Sequence, residues 1–314
     1  MEVVLDRTSG LVDSEVAEPW VVHGLDMLSA VAGVTDRIDP QANDRAGATF
    51  ALAVEALAHQ LGSFLAEASS VREFFSVTAG RMLARLAESR AQLRWLLGPD
   101  GSSSSVVDIA QIDGRHLESI LVDLASLVGL WNESVVHGPA WRFGEIGRRL
   151  ERAFGVIDGV RGAFGLYQGA APAPVSSPNR SADAIDDHRL DFQRQRLVEI
   201  VLASNESLVA YRRRHRSDVE LETALHLLIA EVHNPRAAAS AIRDVRHQAD
   251  RLGWQFGVDT ATELLALLES ASFGSIDATI ASLAAVFAGC DLLARDVVGS
   301  YLAAPVDPRM MGRS

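Results

Sequence analysis

Apolar residues recur three and four positions apart through nearly the whole chain, while alternating apolar and polar runs are almost absent. That regularity restricts the fold to packed helices, because a strand needs a period of two to bury one face and a helix needs 3.6. Leu117, Ile120, Leu121, Leu124, Val128 and Trp131 share one predicted helix face. Ile276, Ile280, Leu283, Phe287, Cys290, Ala294, Val297 and Tyr301 form a four-three-four-three seam, the spacing by which one long helix lies along another. The expectation is an all-α protein: a multi-helix bundle of about eight to ten helices in two halves joined by a Pro/Ser-rich linker.

With 314 residues, 48% of them apolar and only 6% aromatic, the core is expected to consist mainly of Leu, Ala and Val. The net charge is −12 and there is no lysine, so all 29 basic residues are arginine. Counterion release from a nucleic acid would work against the overall field, and no nucleic acid partner is expected. The missing lysine also excludes Walker-type phosphate cradles, Schiff-base chemistry and Ser-Lys nucleophile pairs. Cys290, the single cysteine, excludes an intramolecular disulfide and any multi-cysteine zinc site. It lies inside the apolar seam with nothing basic beside it, and so reads as a small buried hydrophobe. The nine histidines lack metal-ligand spacing, and no metal or cofactor is expected. The N-terminus is acidic where a secretory signal would be basic, and no eighteen-residue apolar run is free of charge. The expected location is cytoplasmic, with no membrane partner.

Several boundaries can be read from caps. Gly138-Pro139 separates the helix ending near Val136 from the next one. Asn234 before Pro235 predicts a helix start, with Gly253 as the stop of that helix, and Thr260 with Glu263 predicts a capping box for the following one. The run from Gln168 to Asp186 carries three prolines and little to bury, so it is expected to be a linker. The resulting organisation is one domain over 1–314: a divergent N-terminal helix at 1–48, a first helical half at 49–167, the linker at 168–186, a second half at 187–304 and a flexible tail at 305–314. Gly98 to Ser105 is expected to be a shorter loop.

The most charged helix runs from Trp141 to Ala153, where thirteen residues hold four arginines and two glutamates. At 100° per residue, Phe143, Ile146, Leu150, Ala153, Phe154 and Ile157 collect on one apolar face, with Gly147 at its edge. Glu151 and Gly144 come next round, then Arg148, then Arg152 with Glu145. The glycines predict a shallow vacancy lined by Glu151 and Arg148, fit for a neighbouring helix or for a small ligand carrying a carboxylate and an amine. Arg-Glu pairing at a helix contact explains the same residues without a ligand, and both readings stand at this level.

Four stretches together resemble the alpha-E family, bacterial helical domains named for a Glu-Arg pair. They are the Gly147-Arg-Arg-Leu-Glu-Arg152 element; Ser70-Val-Arg-Glu-Phe-Phe-Ser76, which places Arg72 and Ser76; Gly129-Leu-Trp-Asn-Glu-Ser134, which carries Glu133; and Ser207-Leu-Val-Ala-Tyr-Arg212 followed by Asn234-Pro-Arg236. The similarity covers about Leu57 to Tyr301. An earlier Glu-Arg-Ala helix typical of the family is not found before Phe50, Ala237 replaces the serine after Asn-Pro-Arg, and Glu231 stands where the family tends to have aspartate.

The resemblance implies work beside circularly permuted ATP-grasp amidoligases and transglutaminase-like proteins in peptide or amide ligation. On that footing the leading expectation is a non-catalytic partner or substrate-presenting module, able to hold a carboxylate- or phosphate-bearing small molecule or peptide. Its candidate binding residues are Arg148, Arg149, Glu151, Arg152, Arg72, Tyr211, Arg212, Asn234 and Arg236, since a guanidinium fork matches carboxylate geometry. One alternative is an enzyme acting on an amide or amino-acid substrate, with Glu151 or Glu133 as general acid or base. The other is a purely structural scaffold whose ion pairs lock helices together.

Overall fold

A computed structural model describes residues 45–97, 114–169, 195, 197–216, 219–273 and 276–302. The described chain is all-α, as the periodicity requires: α1 (Arg45–Ser70), a 3-10 turn at Arg72–Phe74, α2 (Val77–Leu96), α3 (Gly114–Ser134), α4 (Pro139–Gly169), α5 (197–204), α6 (Leu208–His215), α7 (Leu221–Ile229), α8 (Ala238–Leu252), α9 (Gln255–Ser270) and α10 (Ile276–Val297), which closes in a π-helical turn at Val298–Leu302. No strand occurs among the described residues. The expected N-terminal helix before residue 45, the Gly98 to Ser105 loop, the tail from 305 and the linker beyond Gly169 lie outside them; Gln168 and Gly169 themselves close α4.

The chain divides into two compact units, and the division does not follow chain order. The first unit takes residues up to Trp141 and then Asp158–Leu228; the second takes Arg142–Ile157 and everything from Ile229 on. The continuous helix α4 therefore contributes its middle to the second unit and its two ends to the first.

In the first unit α2 packs on both α1 and α3. Its buried residues, Ala79, Leu86 and Leu93, recur every seven positions, and Ser76 caps it by accepting the Ala79 N–H at 3.2 Å. Arg90 Nε donates to the Ala58 carbonyl at 2.9 Å, and Gly62 makes room for it: a Cβ there would stand 2.7 Å from the guanidinium. On α3 the buried stripe is Leu117, Ile120, Asp123 and Leu127, with Leu121 46% exposed, so the predicted face is turned by part of a turn. The Asp123 carboxylate, buried and 3.1 Å from the Arg85 guanidinium, occupies the position that apolar spacing alone would have given to Leu124. By length and composition Ala48–Ser70 could cross a membrane, yet Phe50, Ala53, Val54, Ala58 and Leu61 within it belong to the core of this unit.

In the second unit α9 packs on both α8 and α10. The α8 core face is Ala238, Ala241, Ile242, Val245 and Ala249. Gly253 ends the helix as expected, at φ +71°, where its N–H bonds the Asp250 carbonyl and the Trp254 N–H bonds the Ala249 carbonyl. That double bond is a Schellman closure, which favours a residue free of Cβ strain at this position. The following helix begins at once, at Gln255, so Thr260 lies inside α9 and caps nothing. Burial explains the correction: Gly257, Ala261, Leu264 and Leu268 form one continuous inward stripe, and a Cβ on Gly257 would overlap the Trp254 ring. Trp254 is itself tied to α10 by its indole N–H, which donates to Asp296 at 2.8 Å.

The α10 seam is Thr279, Leu283, Val286, Cys290, Leu293 and Val297, a four-three-four-three-four spacing. It shares Leu283, Cys290 and Val297 with the predicted seam, while Phe287 lies at its flank, edge-on to Phe154. Cys290 is fully buried, and burial pushes its thiol up to about 12.

Candidate functional site

The middle of α4 and the first two-thirds of α8 carry one connected group of charges in the second unit. On α4 the apolar face is confirmed at Ile146, Leu150, Ala153 and Ile157, with Phe143 and Phe154 half-buried at its margins. Phe143 contacts the Tyr301 ring, with centroids 5.1 Å apart. Gly144 and Gly147 face outward, and a Cβ on Gly147 would meet nothing, so the predicted vacancy beside Glu151 is open surface rather than a recess.

The acid that organises this face is Glu145. Its side chain is only 5% exposed, and its carboxylate accepts two N–H bonds from Arg148, at 3.0 Å from Nε and 2.5 Å from the terminal nitrogen. Arg149 Nε lies 3.5 Å from the same carboxylate, while its other end reaches Asp244 on α8 at 3.1 Å. Arg243 closes the chain, 3.7 Å from Asp244 and 3.3 Å from the Ser240 hydroxyl. Charges therefore alternate through five groups: Arg148, Glu145, Arg149, Asp244 and Arg243. Such alternation gives the buried Glu145 carboxylate an opposite charge on each side.

Arg142 adds a bond to Gln248 at 2.7 Å, and Arg152 donates to the Pro235 carbonyl at 3.2 Å. As numbers rise on α4 from 142 through 149 to 152, their partners fall from 248 through 244 to 235. The two segments accordingly run antiparallel.

The Arg152 bond joins two stretches that lie 83 residues apart in sequence, the Glu-Arg element and Asn234-Pro-Arg236. Asn234 is not a helix cap. Its side-chain oxygen accepts the Arg236 N–H at 3.1 Å and its carbonyl accepts the Ala237 N–H at 2.9 Å, which makes Asn234–Ala237 a turn with Pro235 at its second position. Helix α8 starts only at Ala238, with Ala237 in extended conformation at the cap, so Arg236 precedes the helix rather than opposing its dipole. Glu231, also buried, stabilises the approach by accepting the His233 N–H at 3.1 Å.

Arg148, Arg149, Arg152, Asn234 and Arg236 thus all belong to the second unit. Glu151 belongs there too, but it is exposed and makes no ion pair with a described residue. The remaining candidates are in the first unit. Tyr211 is fully buried, and its hydroxyl accepts the Glu220 N–H at 3.0 Å, which ties α6 to the start of α7. Arg212 is in the last turn of α6, where a cation suits the helix dipole, with Glu199 at 3.4 Å. Arg72 on the 3-10 turn and Glu133 at the end of α3 are both exposed.

Sequence reasoning placed Glu145 on the helix but did not single it out, and it missed Asp244, Gln248 and Arg243. The available signal was the spacing around α8, whose polar positions 240, 243, 244, 247 and 248 fall on the side opposite its alanines. On that side an open cavity of about 460 Å³ is lined by Arg243, Asp244, Arg246, His247, Asp250 and Val258. Among the described residues, no group of three His, Cys, Asp or Glu side chains is placed to hold a metal.

Comparison with known families matches residues 11–302 to the family described as "Alpha-E: A predicted alpha-helical domain with a conserved ER motif". No curated protein and no solved structure matches the chain.

Proposed function

We propose that this chain, which belongs to the Alpha-E family, acts as a non-catalytic partner or substrate-presenting module of a cytoplasmic ATP-grasp amidoligase system. In this reading it holds a carboxylate-bearing peptide or small molecule and works alongside transglutaminase-like proteins. The observation that carries the non-catalytic half is how the α4 acids are placed. Glu145 is held between Arg148 and Arg149, and a carboxylate so engaged is poorly placed to move a proton. Glu151 and Glu133 stand exposed, and neither makes an ion pair or side-chain hydrogen bond with a described residue to orient it toward a substrate. What this region offers a ligand is guanidinium groups on two helices linked by an ion pair and a hydrogen bond, and those suit recognition more than bond cleavage.

The ligase half rests on the resemblance of the Glu-Arg and Asn-Pro-Arg elements, which the Arg152 bond to Pro235 joins into one region. The test is affinity purification of the tagged chain from cells that express its ATP-grasp amidoligase, followed by assay of ligase turnover with and without the chain. Co-purification and a fall in turnover on removal are expected. No association, with turnover unchanged, would sink the reading.

A further inference from the structure

The arginines that the sequence nominated on α4 are already engaged: Arg148 by Glu145, Arg149 by Glu145 and Asp244, and Arg152 by the Pro235 carbonyl. An incoming carboxylate would have to displace an internal partner from each. The α8 cavity differs. Arg246 and Asp250 both line it, both are exposed, and neither makes an ion pair with a described residue, although the i,i+4 spacing would allow them to pair with each other. Arg243 enters the same cavity with only a 3.7 Å approach to Asp244 and a hydroxyl contact. The α8 side of the cavity therefore carries two guanidiniums with unused donors and, one turn beyond Arg246, the Asp250 carboxylate, while Val258 from α9 supplies an apolar wall. The cavity volume of about 460 Å³ is in the range of small-ligand sites.

We infer that this α8 groove is the ligand site, and that it takes a zwitterion: a carboxylate seated on Arg243 and Arg246 and an ammonium on Asp250, as in a free amino acid or a dipeptide with both termini free. A single anion such as phosphate would meet the like charge of Asp250 beside the arginines, and a simple cation would meet two arginines beside Asp250. A ligand carrying both signs matches both the arginine pair and Asp250. Asp244, already committed to Arg149, holds Arg243 in position rather than contacting the ligand.

This inference rests on the presenting-module reading by naming what is presented, but its test contains no ligase. The purified full-length chain is titrated calorimetrically with L-alanine and with L-alanyl-L-alanine, then with the N-acetylated and C-amidated forms of the dipeptide. Binding of at least one zwitterion is expected, and each cap should weaken it about tenfold by removing one charge-assisted contact. A free amino acid binding as well as the dipeptide identifies the smaller ligand; dipeptide binding alone identifies a zwitterion of dipeptide length. Arg246→Gln and Asp250→Asn should each weaken binding about tenfold while leaving the melting curve unchanged, because both side chains are exposed and unpaired among the described residues. The capped peptides repeat the same deletions without altering the protein, so a variant that folds poorly does not spare the idea. Absence of binding at 10 mM, or capped forms binding as well as the parent, overturns it; lost ligase association with binding intact overturns only the preceding proposal.

Discussion

Replacing Glu145 by Gln isolates the charge at the centre of the α4 network, because Gln keeps the volume and one acceptor and removes only the negative charge. The carboxylate is nine-tenths or more enclosed and receives two bonds from Arg148, at 3.0 and 2.5 Å. Hydrogen bonds to charged groups contribute about 1.5–3 kcal/mol each, and neutralising one partner leaves two guanidiniums facing a dipole. Arg148 and Arg149 keep 27% and 21% exposure, so water recovers part of the loss. The expected cost is about 2 kcal/mol, a large share of a typical domain's stability. Because the chain has two compact units, the cost is best read locally, by hydrogen exchange of peptides covering 142–157 and 238–252, rather than from one global transition. Glu151→Gln on the same helix is the control: that side chain is exposed, and its loss should stay within about 0.5 kcal/mol. The Glu145 effect should persist in about 1 M salt, where the Debye length is near 3 Å and exposed pairs are screened. Equal losses for the two variants, or a Glu145→Gln effect that salt abolishes, would refute the claim that one buried acid organises this face.

Gly253→Ala places a Cβ at φ +71°, and should cost about 1 kcal/mol through strain alone, since the space around the position is open; thermal melting checks this, and an unchanged midpoint would contradict the Schellman assignment. Cys290, fully buried and pushed up to about 12, should react with a thiol reagent at pH 8 only as fast as the chain opens, with denaturant accelerating it; rapid labelling of the native protein would refute its burial. Asp158 is raised above its usual 3.8 by burial, with Arg161 pulling the other way, so the folded state holds this proton more tightly than the unfolded chain does. That contribution is present below about 3.8 and lost as pH rises through the folded value. Asp158→Asn should therefore gain on the parent in melting temperature as pH goes from 4 to 7, and the opposite trend would show the charge to be stabilising.

Much of this was legible in one dimension, and what failed did so for definable reasons. The apolar faces of α4 and α10 were readable because burial imposes its period on the sequence: Ile146, Leu150, Ala153 and Leu283, Cys290, Val297 stand inside as their spacing requires. Gly253 was readable because a positive φ tolerates few residues. Thr260 and Asn234 misled because capping signatures are local and tertiary anchors outranked them, Trp254 pinned by Asp296 in one case and a side-chain-closed turn in the other.

The arginine pattern was visible, but its partner was not. Arg148 has an acid three residues before it and another three residues after it, so helix geometry alone treats Glu145 and Glu151 as equivalent. What separates them is the side from which α8 approaches. That approach brings Asp244 and Gln248 to the arginines, while Glu145 is buried beside them and Glu151 stays in water. Periodicity reports which residues avoid solvent, because that preference belongs to each residue. It carries no record of which distant helix supplies the opposite charge, because that is decided only when the chain folds back on itself.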